Sequence, residues 1–259
     1  MRPDRLARPT ARFHVAGALC AVLLAACSSN DDPSPTPPPD PTRATLGAHA
    51  LVGQEDGVAA TIAQSPPLAT ADSGSSFIAF SAGYASNASA PTDNLGNAWA
   101  PLGTPVVYAG YEGRFDVKAY LLQDGQGGPG HIVSIAKPGV PAGELTMPVV
   151  EVRNGGRLVA VARNYAPSGA LLASDPVTTD GPALLVAFWW GDAGGLHHTA
   201  EPDGGFTVIE RFTDLPPNSA VQCVVAVREV AAAGSYSVNW STAPAQGAPL
   251  WLFAFAPAR

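Results

Sequence analysis

The chain is short of charge. Only 14% of its 259 residues are Asp, Glu, Lys or Arg, and acids outnumber bases 21 to 14, for a formal net charge of −7. A nucleic-acid binder needs the opposite excess to displace counterions from phosphates, so nucleic acid is excluded as a partner. Cysteine is scarce too: there are three, Cys20, Cys27 and Cys223, and two of them sit near the N-terminus, so no disulfide framework is expected. A long apolar stripe with a 3.6-residue period is missing. With 27 glycines and 26 prolines, the punctuation favours many short strands joined by turns over long helices. The chain has no G-x-S-x-G nucleophile elbow and no H-E-x-x-H zinc pair. The segment Asp124 to Gly130 is rich in glycine but lacks the Lys-Ser/Thr of a phosphate loop, and it reads as a flexible hairpin loop. No catalytic residue, cofactor or metal is expected from these patterns.

What is present begins at the N-terminus. Arg2, Arg5, Arg8 and Arg12 give a cationic start, and Val15 to Ala26 is an uncharged, mostly apolar run. It falls short of the about 20 apolar residues that span a bilayer, and its layout is that of a secretory leader. The leader ends Leu24-Ala25-Ala26-Cys27. This resembles the lipobox of bacterial lipoproteins. The resemblance implies cleavage after Ala26, a diacylglycerol thioether on Cys27 and acylation of the new N-terminus, which together satisfy the requirement of more than one chain for stable anchoring. The competing reading is an ordinary leader that happens to contain a Cys, as it does at Cys20. Ser28-Ser29, in place of an Asp after the Cys, resembles Gram-negative lipoproteins sorted to the outer membrane. Residues 27–43 read as lipidated Cys and tether: Asn30 to Thr42 holds too many prolines and aspartates to build a core and forms an extended spacer of about 3.1 Å per residue. The expected partner is therefore a membrane, reached through Cys27. Loss of the leader removes four Arg and one Asp, leaving 10 basic against 20 acidic residues, so charge does not hold the chain to anionic lipid.

Residues 44–259 read as one all-β domain, a two-sheet antiparallel β-sandwich. In Ser235 to Ser241, Tyr236, Val238 and Trp240 fall on one face and the serines and Asn239 on the other. Val221, Cys223, Val225 and Val227 alternate likewise, which makes Cys223 a small core hydrophobe. Phe77–Phe80, Leu184–Trp190 and Leu250–Phe255 are apolar on both faces and read as strands buried on both sides. Further strands are expected at Val58–Ala63, Val106–Ala109, Val117–Leu122, Ile132–Ala136, Leu145–Val152, Leu158–Ala162 and Thr207–Phe212, about a dozen in all. No internal repeat is visible in the sequence.

Three stretches carry a second resemblance: Ala71 to Phe80, the turn Asp93-Asn94-Leu95-Gly96-Asn97-Ala98-Trp99, and Gly205-Phe206-Thr207-Val208. In this order they resemble β-sandwich modules with a D-x-x-G-N-x-W turn found in bacterial surface and phage-tail proteins. The resemblance implies a concanavalin-like jelly roll and no particular activity. Hydrolases of that fold carry E-x-D-x-x-E on one strand. Here Glu201-Pro202-Asp203-Gly204-Gly205-Phe206 has Phe206 where the second Glu belongs, so the two-carboxylate chemistry of glycoside hydrolysis is not supported.

Two clusters remain as site candidates. Asp93, Asn94 and Asn97 are read first as a turn whose side chains bond their own backbone, with Trp99 packed over it, and second as oxygen ligands for calcium. Trp190, Asp192, His197 and His198, with Glu201 and Asp203, form the richest polar–aromatic group. A polar loop with one Trp in the core is the first reading, a polysaccharide or other surface-ligand site with Trp190 as stacking platform the second, and a metal the third. Adjacent His197 and His198 would point to opposite sides of a strand, which weighs against their sharing a metal.

Overall fold

The computed structural model describes residues 43–54, 60–154, 156–192, 197–215 and 221–258. The leader, Cys27 and the tether as far as Thr42 lie outside the described residues, as do Val58 and Ala59 of the strand expected at Val58–Ala63. Apart from a single 3-10 turn at Tyr111–Gly113, every regular element described is a strand. The first half of the body contains β1 (Thr45–Gln54), β2 (Ile62–Gln64), β3 (Leu68–Ala69), β4 (Ser75–Tyr84), β5 (Pro91–Asp93), β6 (Ala100–Pro101), β7 (Val106–Val107), β8 (Phe115–Gly125), β9 (Pro129–His131), β10 (Val133–Ala136) and β11 (Leu145–Arg153). The second half contains β12 (Arg157–Ala173), β13 (Val177–Thr179), β14 (Ala183–Asp192), β15 (Thr199–Pro202), β16 (Thr207–Phe212), β17 (Val221–Val230), β18 (Gly234–Tyr236) and β19 (Asn239–Ala256).

These strands form two six-stranded antiparallel sheets, ordered β1-β11-β4-β8-β6 with β7 beside β8, and β12-β19-β14-β17-β16 with β15 beside β19. The fold is an all-β sandwich, as the alternation and punctuation require. Each large sheet comes from one contiguous half of the chain. Within a half, the chain passes back and forth between the large sheet and a small cover: β2-β10-β5 and β3-β9 in the first half, β13-β18 and the outer parts of β12, β19 and β15 in the second. The back-and-forth of a jelly roll is thus found inside each half and not between the two large sheets. Asp124 to Gly130 is not a hairpin. It carries the chain from β8 to β9, which belong to different sheets, and it is held in place: the Gly127 N–H donates to the Asp72 carbonyl at 3.0 Å and the Gly128 N–H to Thr70 Oγ1 at 2.8 Å.

The two halves repeat one fold. In both, the first strand pairs with the last, the last with the next long strand, and the order then runs outward in the same way. The register agrees row by row. His49, Val150, Ile78, Leu121 and Ala100 stand side by side across the first sheet, and Val161, Phe253, Val186, Val227 and Thr207 across the second. Even the bulge early in the first strand recurs, between Leu46 and His49 and between Leu158 and Ala160. A reciprocal pair of bonds joins Ser65 to Val133 and, in the same pattern, Ser174 to Val238. With the register in hand, traces show in the sequence: Ser65-Pro66-Pro67-Leu68 beside Ser174-Asp175-Pro176-Val177, and Ala79-Phe80-Ser81-Ala82-Gly83 beside Ala187-Phe188-Trp189-Trp190-Gly191.

The halves pack through the same face. Phe80 and its counterpart Phe188 stack on one another with ring centroids 4.1 Å apart and planes 8° from parallel. Ile78, Ala82, Val117, Ala119, Val150 and Val152 join the shared core, and so do their counterparts Val186, Trp190, Cys223, Val225, Phe253 and Phe255. At the rims, β1 lies against β16 and β12 against β7, again a pair of equivalent contacts. A surface that meets its own copy in this way is the arrangement of a two-fold dimer, here within one chain. The outer face of each large sheet packs on its cover, Phe77, Ala79 and Tyr120 against Val133 and Ile135, and Leu185, Ala187 and Trp189 against Val238 and Trp240. Both large sheets are therefore buried on both sides, which is why their central strands read as unbroken apolar runs.

Candidate functional site

The aromatic member of the polar–aromatic group is not displayed. Trp190 is fully buried, and its indole packs edge-on to Tyr108 at 5.6 Å and tilted against Phe115 at 6.0 Å in the core between the halves. The expectation of a stacking platform for a sugar ring is corrected here. β14 is central in its sheet and covered on both faces, so its side chains from Ala183 to Trp190 point into a core, Trp189 into one and Trp190 into the other. Asp192 pairs with Val221 through its backbone, and its side chain lies outside the described residues. His197 and His198 do point apart. His197 is exposed beside Asp214, with Nδ1 3.2 Å from Oδ1, and His198 is buried, its N–H donating to the Thr213 carbonyl at 3.3 Å. The acids downstream are engaged within the protein. Glu201 is gripped by both terminal nitrogens of Arg211, at 2.6 and 2.8 Å, which holds its carboxyl below the ordinary value. Asp203 accepts from the backbone and side-chain nitrogens of Asn239 at 2.9 and 2.7 Å, and Phe206 is buried. Among the described residues, no three His, Cys, Asp or Glu side chains gather as metal ligands.

Asp93 builds the turn that its sequence suggests. Oδ1 accepts the backbone N–H of Leu95 at 3.0 Å and of Asn97 at 3.1 Å, and Oδ2 accepts the Asn97 side chain at 3.0 Å and the Trp99 indole N–H at 2.9 Å. Burial pushes this carboxyl up, and the hydrogen bonds outweigh it, so Asp93 is held below its ordinary value. Gly96 takes the left-handed conformation at φ 76° that closes the turn. Next to Asp93 is a residue the sequence did not single out. His131 is fully buried, with Nε2 3.6 Å from Asp93 Oδ2 and Nδ1 3.3 Å from Thr70 Oγ1. Hydroxyl, imidazole and carboxylate in this order are the parts of an activated nucleophile. Here, however, the Thr70 hydroxyl is buried and tied to both the carbonyl and the N–H of Gly128, at 3.2 and 2.8 Å, so the chain of bonds pins the β8–β9 connection to the cover.

A second unforeseen group is Glu151, whose side chain is fully buried. It accepts the backbone N–H of Ala48 at 2.7 Å and of Ala71 at 2.8 Å, the Ser75 hydroxyl at 2.7 Å and Arg153 Nε at 3.1 Å. Arg153 in turn donates to the Ala69 carbonyl at 3.3 Å. One acid thus clasps the bulge of β1 to the connection between β3 and β4. Cys223 is likewise in the core as expected, and burial pushes its thiol well above the ordinary value, which leaves it a hydrophobe and not a nucleophile.

The open cavities among the described residues include the following two. One, of about 230 Å³, lies between the start of β12, the β13–β14 connection and the end of β19, with Arg157, Thr178, Asp180 and Gly181 on its walls. The other, of about 350 Å³, lies at the far end of β4 beside Tyr84, Arg114 and Val140. Arg114 on its wall pairs with Glu112 at 2.8 Å, and Tyr111 and Glu112 are successive non-glycine residues at φ 48° and 57°. No known protein family, curated protein or solved structure matches the chain.

Proposed function

We propose that this is a non-enzymatic, lipid-anchored protein of the bacterial cell envelope, held at the outer membrane through Cys27 and displaying its doubled sandwich on a proline-rich tether. The observation that carries the reading is Leu24-Ala25-Ala26-Cys27 at the end of a cationic and then apolar leader. The use of the body's acids supports a role in adhesion, ligand capture or envelope architecture over turnover: Asp93, Glu151, Glu201 and Asp203 are each spent on bonds within the fold. Sugar recognition through Trp190 forms no part of the proposal, since that ring is enclosed.

The test is metabolic labelling with palmitate, followed by fractionation of the envelope. The wild-type chain incorporates label and partitions with outer membrane. Cys27→Ser remains an unlabelled, uncleaved precursor. Label and mature size retained in the Ser variant would overturn the lipid anchor.

A further inference from the structure

The repeat makes one comparison possible that neither half offers alone. The 230 Å³ cavity of the second half opens between the elements that the Glu151 clasp joins in the first, the start of the first strand, the connection before the second long strand and the end of the last strand. Counterparts follow from the register: Ala254 stands for Glu151 and Ala256 for Arg153, because Ala254 faces Leu185 as Glu151 faces Phe77, and Arg157 pairs with Ala256 as Thr45 pairs with Arg153. The shared Ser-x-Pro motif aligns Thr178 with Ala69 and Asp180 with Ala71, and Ala183 stands where Ser75 does. In the first half, the acid fits so closely against Gly47 that a Cβ there would collide with its carboxylate. In the second, Val159 stands in place of Gly47 and lines the cavity. Every side chain that fills the first site has become alanine in the second, and the walls have gained charge instead: Arg157 where the first half has Thr45, and Asp180 where it has Ala71. Among the described residues, neither charge is drawn into an ion pair.

We propose that this cavity is a binding site for a small zwitterion of amino-acid size, whose carboxylate is taken by Arg157 and whose cationic group is taken by Asp180, the ligand supplying the pair of charges that Glu151 and Arg153 supply from within in the other half. The volume is below the range of drug-sized pockets, which sets the scale at a single amino acid or the end of a peptide. Arg157 offers a planar fork matched to a carboxylate, and Thr178 adds a hydroxyl at the rim. The site lies on the body and is independent of the lipid anchor.

The experiment is titration calorimetry on the purified full-length protein with L-arginine, glycine and acetate. The two amino acids bind, and acetate, which lacks the cation, binds at least about tenfold more weakly. Val159→Gly/Ala254→Glu/Ala256→Arg, which rebuilds the clasp of the first half together with the glycine that its acid packs against, abolishes binding while its melting temperature stays at or above that of the wild type. Arg157→Gln and Asp180→Asn, substitutions of exposed side chains, each lower affinity by about tenfold or more and keep the test open should the triple variant misfold. Absence of binding by either amino acid, binding of acetate as tight as that of glycine, or affinity unchanged in Arg157→Gln and Asp180→Asn would overturn the proposal.

Discussion

Glu151→Ala removes a side chain that no solvent touches and that four donors converge on. The cost can be worked donor by donor. Arg153 keeps 43% of its side chain exposed and turns to water without penalty, and the Ser75 hydroxyl is free to rotate to another acceptor. The N–H groups of Ala48 and Ala71 cannot move, since each is fixed by the strand or turn that carries it. Two buried donors left without a partner cost about 1–3 kcal/mol each, so a loss of about 4 kcal/mol is expected. Against a total stability of about 5–15 kcal/mol this is a large share, and in a body of this size it lowers the melting temperature by about 8–16 °C. Glu151→Gln should lose less. It keeps one acceptor oxygen and turns an NH₂ toward the donors at the other. Thermal unfolding followed by calorimetry or circular dichroism measures both variants. A shift of under about 2 °C for Glu151→Ala would mean that water replaces the carboxylate at no cost, and the clasp would not be what holds the β1 bulge.

Phe80→Ala and Phe188→Ala delete the two halves of one stacked pair and should each cost about 3–5 kcal/mol in urea unfolding, with a coupling of about 0.5–1.5 kcal/mol in the double-mutant cycle. Strictly additive losses would show that the pair is not a shared contact. The depressed Asp93 carboxyl contributes stability that is present above its ordinary 3.8 and is lost as pH falls through the lower value it has in the fold. Asp93→Asn should therefore flatten the acid limb of the stability–pH curve, in urea midpoints measured over about pH 5 to pH 2, and an unchanged limb would place the acid sensitivity elsewhere.

Much of the architecture was written locally. Apolar runs such as Leu184–Trp190 and Leu250–Phe255 announce strands buried on both faces because a sheet covered twice has no side left for polar residues. Strand β1 was missed. Thr45–Gln54 mixes glycine and histidine with apolar residues and is half-buried along most of its length at a sheet edge, so it has neither alternation nor a continuous run to signal it. Ser235–Ser241 was expected as one strand and is two pieces, β18 and the start of β19, yet its Tyr236, Val238 and Trp240 face packs inward as their period requires.

By itself, the sequence determined the all-β class, the turn at Asp93, the burial of Cys223 and the opposed histidines, because each depends on near neighbours in the chain: a period of two, a side chain reaching its own backbone, two adjacent residues. Only the tertiary structure decided that Trp190 is enclosed, that Glu151 reaches Ala48, 103 residues away, and that one fold occurs twice. The last escaped the sequence for a physical reason. Pairing order and register are carried by backbone hydrogen bonds that are indifferent to side chains, so the two halves kept their ladder while Glu became Ala and Ala became Trp, and what survived in letters is a Ser-x-Pro turn and the Ala-Phe at the axis where the halves meet.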